Sequence, residues 1–183
     1  QTGEALPNSD YIKDFLGKLD NNLFLYDPEG ETTSDKVIEV IYYCAEKLGV
    51  KLMVIDSLMK CGINEDDLNK QKSFANKLSV AARDLDIHIF LVAHSRKTAN
   101  ENDWANKFDV AGSANLTNLV DNVFSIHRNK AREEEVLNGS LDTEVMSQPP
   151  CSVYLLKQRH GRGTEGKWGF GFKPETFQYT ETW

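Results

Sequence analysis

The sequence predicts an α/β fold: a mostly parallel, twisted sheet flanked by helices, with an antiparallel hairpin at the carboxyl end. Three observations predict it. Residues 51–55 (KLMVI) and 87–92 (IHIFLV) are short apolar runs rich in β-branched residues, as in strands buried on both faces of a parallel sheet. Between them Phe74, Ala75, Leu78, Ala81, Ala82 and Leu85 recur at helical spacing, and the segment is long enough to be a crossover. Residues 167–172 and 176–180, around Pro174, alternate as the two arms of a hairpin do.

The elements follow in order. Ser9 can cap a helix with Ile12, Phe15, Leu16 and Leu19 on one face. Residues 23–26 read as a short strand, ended by Asp27-Pro28 and Gly30. Ser34 can cap a second helix, whose apolar face is Val37, Ile41, Cys44, Ala45 and Leu48 and whose stop is Gly49. The strand over 51–55 ends in Asp56. After a loop over 60–64, Glu65, Asp66 and Asp67 suit the first turn of the crossover helix, where negative charge meets the positive end of the dipole. Residues 98–108 are polar and loop-like, 112–119 a short helix, 123–127 a strand. Residues 131–150 carry Glu133, Glu134, Glu135, Asp142 and Glu144 and read as a mobile acidic loop, before a strand over 152–158. There is no internal repeat, and 1–183 reads as a single partial domain.

Composition bounds the function. A hydrophobic share of 40% and a charged share of 27% are ordinary for a soluble globular protein. No apolar run is long enough to span a membrane, and the first ten residues have neither the basic start nor the apolar core of a signal peptide. Cys44, Cys61 and Cys151 form neither a disulfide framework nor a zinc set, which points to a reducing, cytoplasmic compartment. The chain starts at Gln1 rather than Met and reads as a fragment. The net charge of −7 argues weakly against nucleic acid, yet Lys157, Arg159, Arg162, Lys167 and Lys173 form a local basic strip able to bind phosphate.

Three places could carry chemistry. Asp56 ends a buried strand and so delivers a carboxylate to the sheet edge, where ligands bind in open α/β folds. His94 ends the neighbouring strand, where a neutral imidazole can donate a hydrogen bond to a terminal phosphate. In Lys157-Gln158-Arg159 the alternation of a strand turns both cations to one face, which suits a polyphosphate more than a core.

The motifs Leu52-Met53-Val54-Ile55-Asp56, Leu91-Val92-Ala93-His94, 109–116 (DVAGSANL), 121–130 (DNVFSIHRNK) and Leu156-Lys157-Gln158-Arg159 occur in that order. Together they resemble the motor domain of replicative hexameric DNA helicases of the DnaB type, a RecA-like group that includes phage primase–helicases and the mitochondrial Twinkle helicase. The resemblance runs from about Tyr11 to about Tyr179. It implies ATP with Mg2+ bound between subunits of a hexameric ring, single-stranded DNA in the central channel, and primase as a further partner. Asp56 then looks like the Walker B aspartate, reaching magnesium through water, with Ser57 beside it at the nucleotide. His94 looks like the phosphate sensor, and Arg159, with Lys157 beside it, like the finger completing a neighbour's site. Gly161 and Gly163 fall in a glycine-rich turn that could touch the neighbour's nucleotide. Arg96 and Lys97 match one DNA-contacting loop, and Gly112, Ser113 and Asn115 a second.

One part of the pattern is missing. The family's upstream strand, its P-loop and the strand with the catalytic Glu should precede about Tyr11. The stretch 161–168 (GRGTEGKW) is no substitute: Trp168 replaces the magnesium-binding hydroxyl, and a strand-like run comes next where a P-loop must open a helix. The fragment alone is therefore expected not to turn over ATP, while its parent reads as a helicase of a phage or prophage. A non-catalytic RecA-like interaction module and a RecA- or KaiC-like ATPase of recombination or regulation are the alternatives. The Lys157–Arg159 strand and the Gly112 loop favour the helicase, by resemblance.

Overall fold

The structure, a computed structural model, describes residues 8–64, 66–94, 114–139, 142–161 and 166–181. The chain falls into two compact units, Gln1–Glu31 and Thr32–Trp183. In the first, helix α1 spans Ser9–Leu19. Its cap is Asn8 rather than Ser9: the Asn8 Oδ1 accepts from the Asp10 N–H at 3.0 Å. Of the expected stripe, Ile12, Phe15 and Leu16 face water and Leu19 is half-buried. Residues 23–26 are not a strand. A ladder needs a partner, and these residues pair with none among the described residues, leaving Leu23, Phe24, Leu25 and Tyr26 exposed.

The second unit opens with α2 (Ser34–Leu48), capped by Thr33, whose Oγ1 accepts from the Lys36 N–H at 3.2 Å. Gly49 closes it in the left-handed conformation, φ +70°. Strand β1 (Leu52–Ile55) and strand β2 (His88–Leu91) pair in parallel, from Leu52 opposite His88 to Ile55 opposite Leu91. Helix α3 (Leu68–Asp84) is the crossover between them, and Asp67 caps it by accepting from the Lys70 N–H at 3.0 Å. The core lies on one face of this pair. Ile41 of α2, Phe74, Ala75, Leu78 and Ala81 of α3, and Leu58, Cys61 and Ile63 after β1 are buried together, with Met53, Ile55, Ile89 and Leu91 packed against them. On the other face Leu52, Val54 and Phe90 are exposed, Val54 by 64%.

Helix α4 (Ala114–Leu119) adds Leu116 to that core. Beyond it, strands β3 (Asn122–Arg128), β4 (Cys151–Gln158), β5 (Gly166–Lys173) and β6 (Gln178–Glu181) form an antiparallel sheet in chain order. Antiparallel pairing is thus a larger share of the described residues than the single hairpin expected. The connection over 159–165 is too short for a crossover, so β5 must return antiparallel on β4.

The acidic segment is not a loop throughout: it holds α5 (Lys130–Asn138) and α6 (Thr143–Met146). Each has a side-chain cap. The Asn129 Oδ1 accepts from the Arg132 N–H at 3.0 Å, and the Asp142 Oδ1 from the Glu144 N–H at 2.8 Å. The basic residues at its edge tie it down. Arg128 forks onto Glu133 at 2.5 and 2.6 Å, and Arg132 donates to the carbonyls of Met146 and, at 2.9 Å, Gln148. Among the described residues no helix is long and apolar enough to cross a membrane.

Candidate functional site

The parallel pairing of β1 with β2 places Asp56 and His94 beyond neighbouring strands, at the same carboxyl edge. Two backbone bonds continue the ladder toward them: Val92 N–H to Ile55 O and Leu58 N–H to Val92 O, both 2.9 Å. Asp56 and His94 are exposed, and neither makes a hydrogen bond or ion pair among the described residues. The peptide from Asp56 to Ser57 is cis. The turn beyond Asp56 is anchored by burial, since Ser57, Leu58, Cys61 and Ile63 are all buried. The Ser57 carbonyl accepts from Lys60 N–H at 2.9 Å and Cys61 Sγ at 3.5 Å. At the far end of this turn the Gln71 side chain, 1% exposed, donates to Asn64 O at 3.0 Å. Gly62 closes it at φ +68°, where an added Cβ would stand 2.8 Å from the Thr32 carbonyl oxygen. A free carboxylate is thus presented on an anchored stem.

Among the described residues no three His, Cys, Asp or Glu converge as a metal site. A lone carboxylate at a strand end still fits magnesium, which keeps several waters and takes its other ligands from substrate phosphates. Asp56 is the residue that would hold it, and the ion would supply charge neutralisation at the phosphates.

A second cluster lies where β4 leaves the antiparallel sheet. Lys157 Nζ donates to three carbonyls at the carboxyl end of α4, Thr117 at 2.7 Å, Asn118 at 3.2 Å and Val120 at 2.7 Å. Arg159 donates through Nη2 to Asn118 O at 2.6 Å and through Nη1 to Asp121 Oδ1 at 3.2 Å. Its backbone N–H donates to Asp121 O at 2.8 Å. His160 Nε2 approaches the same carboxylate at 3.4 Å. Burial, with the Arg159 charge adding, holds Lys157 below the ordinary lysine range, and Asp121 opposes both. The alternation of the strand does bring Lys157 and Arg159 to one place. Asp121 and the α4 carbonyls were not foreseen, and nothing in residue type alone points to a backbone carbonyl.

Further into that sheet, burial lowers the pKa of His127, the charge on Lys167 adding to the effect. Gly161 lies just past Arg159 at φ +134°, and Asn115 in the first turn of α4. Arg96, Lys97, Gly112, Ser113 and Gly163 lie outside the described residues.

No family model and no curated protein matches this chain. Solved structures do. The ATPase domain of a phage helicase superposes with a TM-score of 0.72 at 16% identity, over 97% of this chain and 62% of that one. A DnaB-like replicative helicase, described together with its interactions with primase, superposes with a TM-score of 0.68 at 15% identity, over 97% of this chain and 42% of that one. This chain therefore spans less than two thirds of each, and identities this low carry the fold alone. That fold, a parallel pair with its crossover helix joined in sequence to an antiparallel sheet, is the one this chain shares with these two structures.

Proposed function

We propose that this chain is part of an ATP-dependent, replicative-type DNA helicase motor. The observation that carries the reading is the placement of Asp56 and His94 at adjacent carboxyl ends of a parallel pair, in a fold whose solved neighbours are helicase ATPase domains. Asp56 orders the hydrated magnesium of ATP, Ser57 lies beside it, and His94 donates to the γ-phosphate. Arg159, held half-exposed at the sheet exit, meets charge developing on a phosphate bound by the neighbouring subunit. Arg96 and Lys97, and Gly112, Ser113 and Asn115, contact single-stranded DNA inside a ring of identical subunits. Gly161 and Gly163 border the neighbour's nucleotide, and primase is a partner of the assembled ring.

Complementation tests the reading in the protein as its gene encodes it. Asp56→Asn and Arg159→Ala should each abolish DNA-stimulated ATP turnover. If Arg159 acts in trans, mixing the two inactive proteins restores turnover, because an Arg159→Ala subunit keeps Asp56 and an Asp56→Asn neighbour supplies Arg159. Full activity in either single variant, or no recovery in mixed rings, would count against it.

A further inference from the structure

Asn138 is the one asparagine of this chain that is followed by glycine. That pair has a chemistry of its own. The backbone nitrogen of the glycine can attack the side-chain amide carbon of the asparagine, and glycine has no Cβ to obstruct the approach. Here the pair is open to solvent. Asn138 and Gly139 are both exposed, and an added Cβ at Gly139 would meet nothing within 4 Å. The side chain is also idle. Asn8 and Asn129 accept helix N–H groups through Oδ1, and Asn22 donates to the carbonyls of Lys18 and Asp20. Asn138 makes no side-chain hydrogen bond among the described residues.

The place of the pair in the fold adds to this. Asn138 is the last residue of α5, and Gly139 ends the helix in the left-handed conformation at φ +66°. The Gly139 N–H, which must come free, donates to Val136 O at 3.3 Å, long for such a bond. The anchors of α5 are at its other end: the Asn129 cap, Arg128 on Glu133, and Arg132 on the carbonyls of Met146 and Gln148. Past Glu133 the tie is weaker, Glu135 Oε2 accepting from Asp142 N–H at 3.3 Å, and Val136 and Leu137 are exposed by 56% and 84%. Helical backbone keeps the Asn138 amide carbon away from the next nitrogen, so the attack needs the last turn to open. A short helix end without packing opens at little cost.

We propose that Asn138 and Gly139 form a site of spontaneous covalent change, which adds a carboxylate to the end of α5 and loosens its last turn. The Gly139 nitrogen gives its proton to solvent base and bonds to Asn138 Cγ. The side-chain nitrogen takes up a proton and leaves as ammonia, and a cyclic imide remains. Water then opens the imide. Opening at the side-chain carbonyl gives aspartate, and opening at the backbone carbonyl gives isoaspartate. Nothing is oxidised or reduced: a water is consumed and an ammonia released. Either product carries negative charge at the negative end of the helix dipole, on the same side as Glu134 and Glu135 one turn earlier, so like charges meet there. No enzyme is required, and the chemistry is independent of the reading of Asp56 and Arg159.

The test incubates the 183-residue chain in mildly alkaline buffer, folded and in urea, and follows each asparagine by proteolysis and peptide mass spectrometry. Asn138 is expected to convert before any other asparagine, with isoaspartate among its products. Its rate in the folded chain should lie within about tenfold of its rate in urea, because the helix end opens readily. A folded-state rate lower by about a hundredfold or more would mean that α5 protects the pair, and the proposal would be overturned. An earlier conversion at another asparagine would overturn it as well. Asn138→Gln should remove the product, since the ring to be closed is larger, and a mass change persisting in that peptide would place the reaction elsewhere. Asn138→Asp carries the charge of the product without the wait. It is expected to speed amide exchange in α5 severalfold while β4 and β5 exchange as in the parent. Unchanged exchange in α5 would refute the effect on the helix.

Discussion

Two glycines in the same backbone conformation make a controlled experiment on the stem that holds Asp56. Gly49 ends α2 at φ +70° and Gly62 ends the turn after Asp56 at φ +68°. Alanine at either site must enter the left-handed region, at about 1–2 kcal/mol. There the likeness stops. An added Cβ at Gly49 meets nothing within 4 Å, whereas at Gly62 it stands 2.8 Å from the Thr32 carbonyl oxygen and 3.6 Å from the Thr33 Cα. Both are backbone atoms, so no side chain can swing away. Overpacking of this kind adds about 1–3 kcal/mol. Gly49→Ala is therefore expected to cost about 1–2 kcal/mol and Gly62→Ala about 2–5 kcal/mol. Urea unfolding followed by circular dichroism measures both, as midpoints at a common slope. Equal costs, or a smaller cost at Gly62, would mean that the turn gives way easily, and the idea of an anchored carboxylate would fail with it.

Two further outcomes test the core and the antiparallel sheet. Phe74 is 1% exposed at the centre of the core, so Phe74→Ala should cost about 3–5 kcal/mol in the same unfolding assay, and a cost below about 1 kcal/mol would refute its place there. His127 titrates below its ordinary value of about 6.5 because burial disfavours the charged form. Between the folded and unfolded pKa values the unfolded chain binds more protons, so this group's contribution is complete above about pH 6.5 and is lost as the pH falls through that window. Unfolding midpoints taken from about pH 5 to pH 7 should therefore rise more steeply in the parent than in His127→Gln, and equal slopes would refute the assignment.

Much of the fold was legible because it follows from side-chain periodicity. The stripes of α2 and α3 and the apolar runs of β1 and β2 appear where the sequence places them, and with them the edge that carries Asp56 and His94. The caps slipped by one residue for a simple reason. Asn8 precedes Ser9 and Thr33 precedes Ser34, so two good capping types stand side by side and composition cannot choose between them. Residues 23–26 have strand-forming side chains, but a strand is a property of two segments, and no partner is paired with this one among the described residues. The helices of the acidic segment were masked by its charge, which read as solvation. What orders them, Arg128 on Glu133 and Arg132 on distant carbonyls, is tertiary. Lys157 was found for its charge and its side of the strand. Its seat under α4 depends on a register irregularity that alternation cannot show.

The uncovered side of β1 and β2 matters for how the molecule behaves in a tube. Parallel strands are ordinarily enclosed on both sides, and here Leu52, Val54 and Phe90 keep one side in contact with solvent. Whatever comes to rest on those side chains binds the folded chain and not the unfolded one, so it raises stability by mass action. A melting temperature measured for this chain is then a property of its company as well as its sequence: it should climb with the concentration of anything that takes that seat.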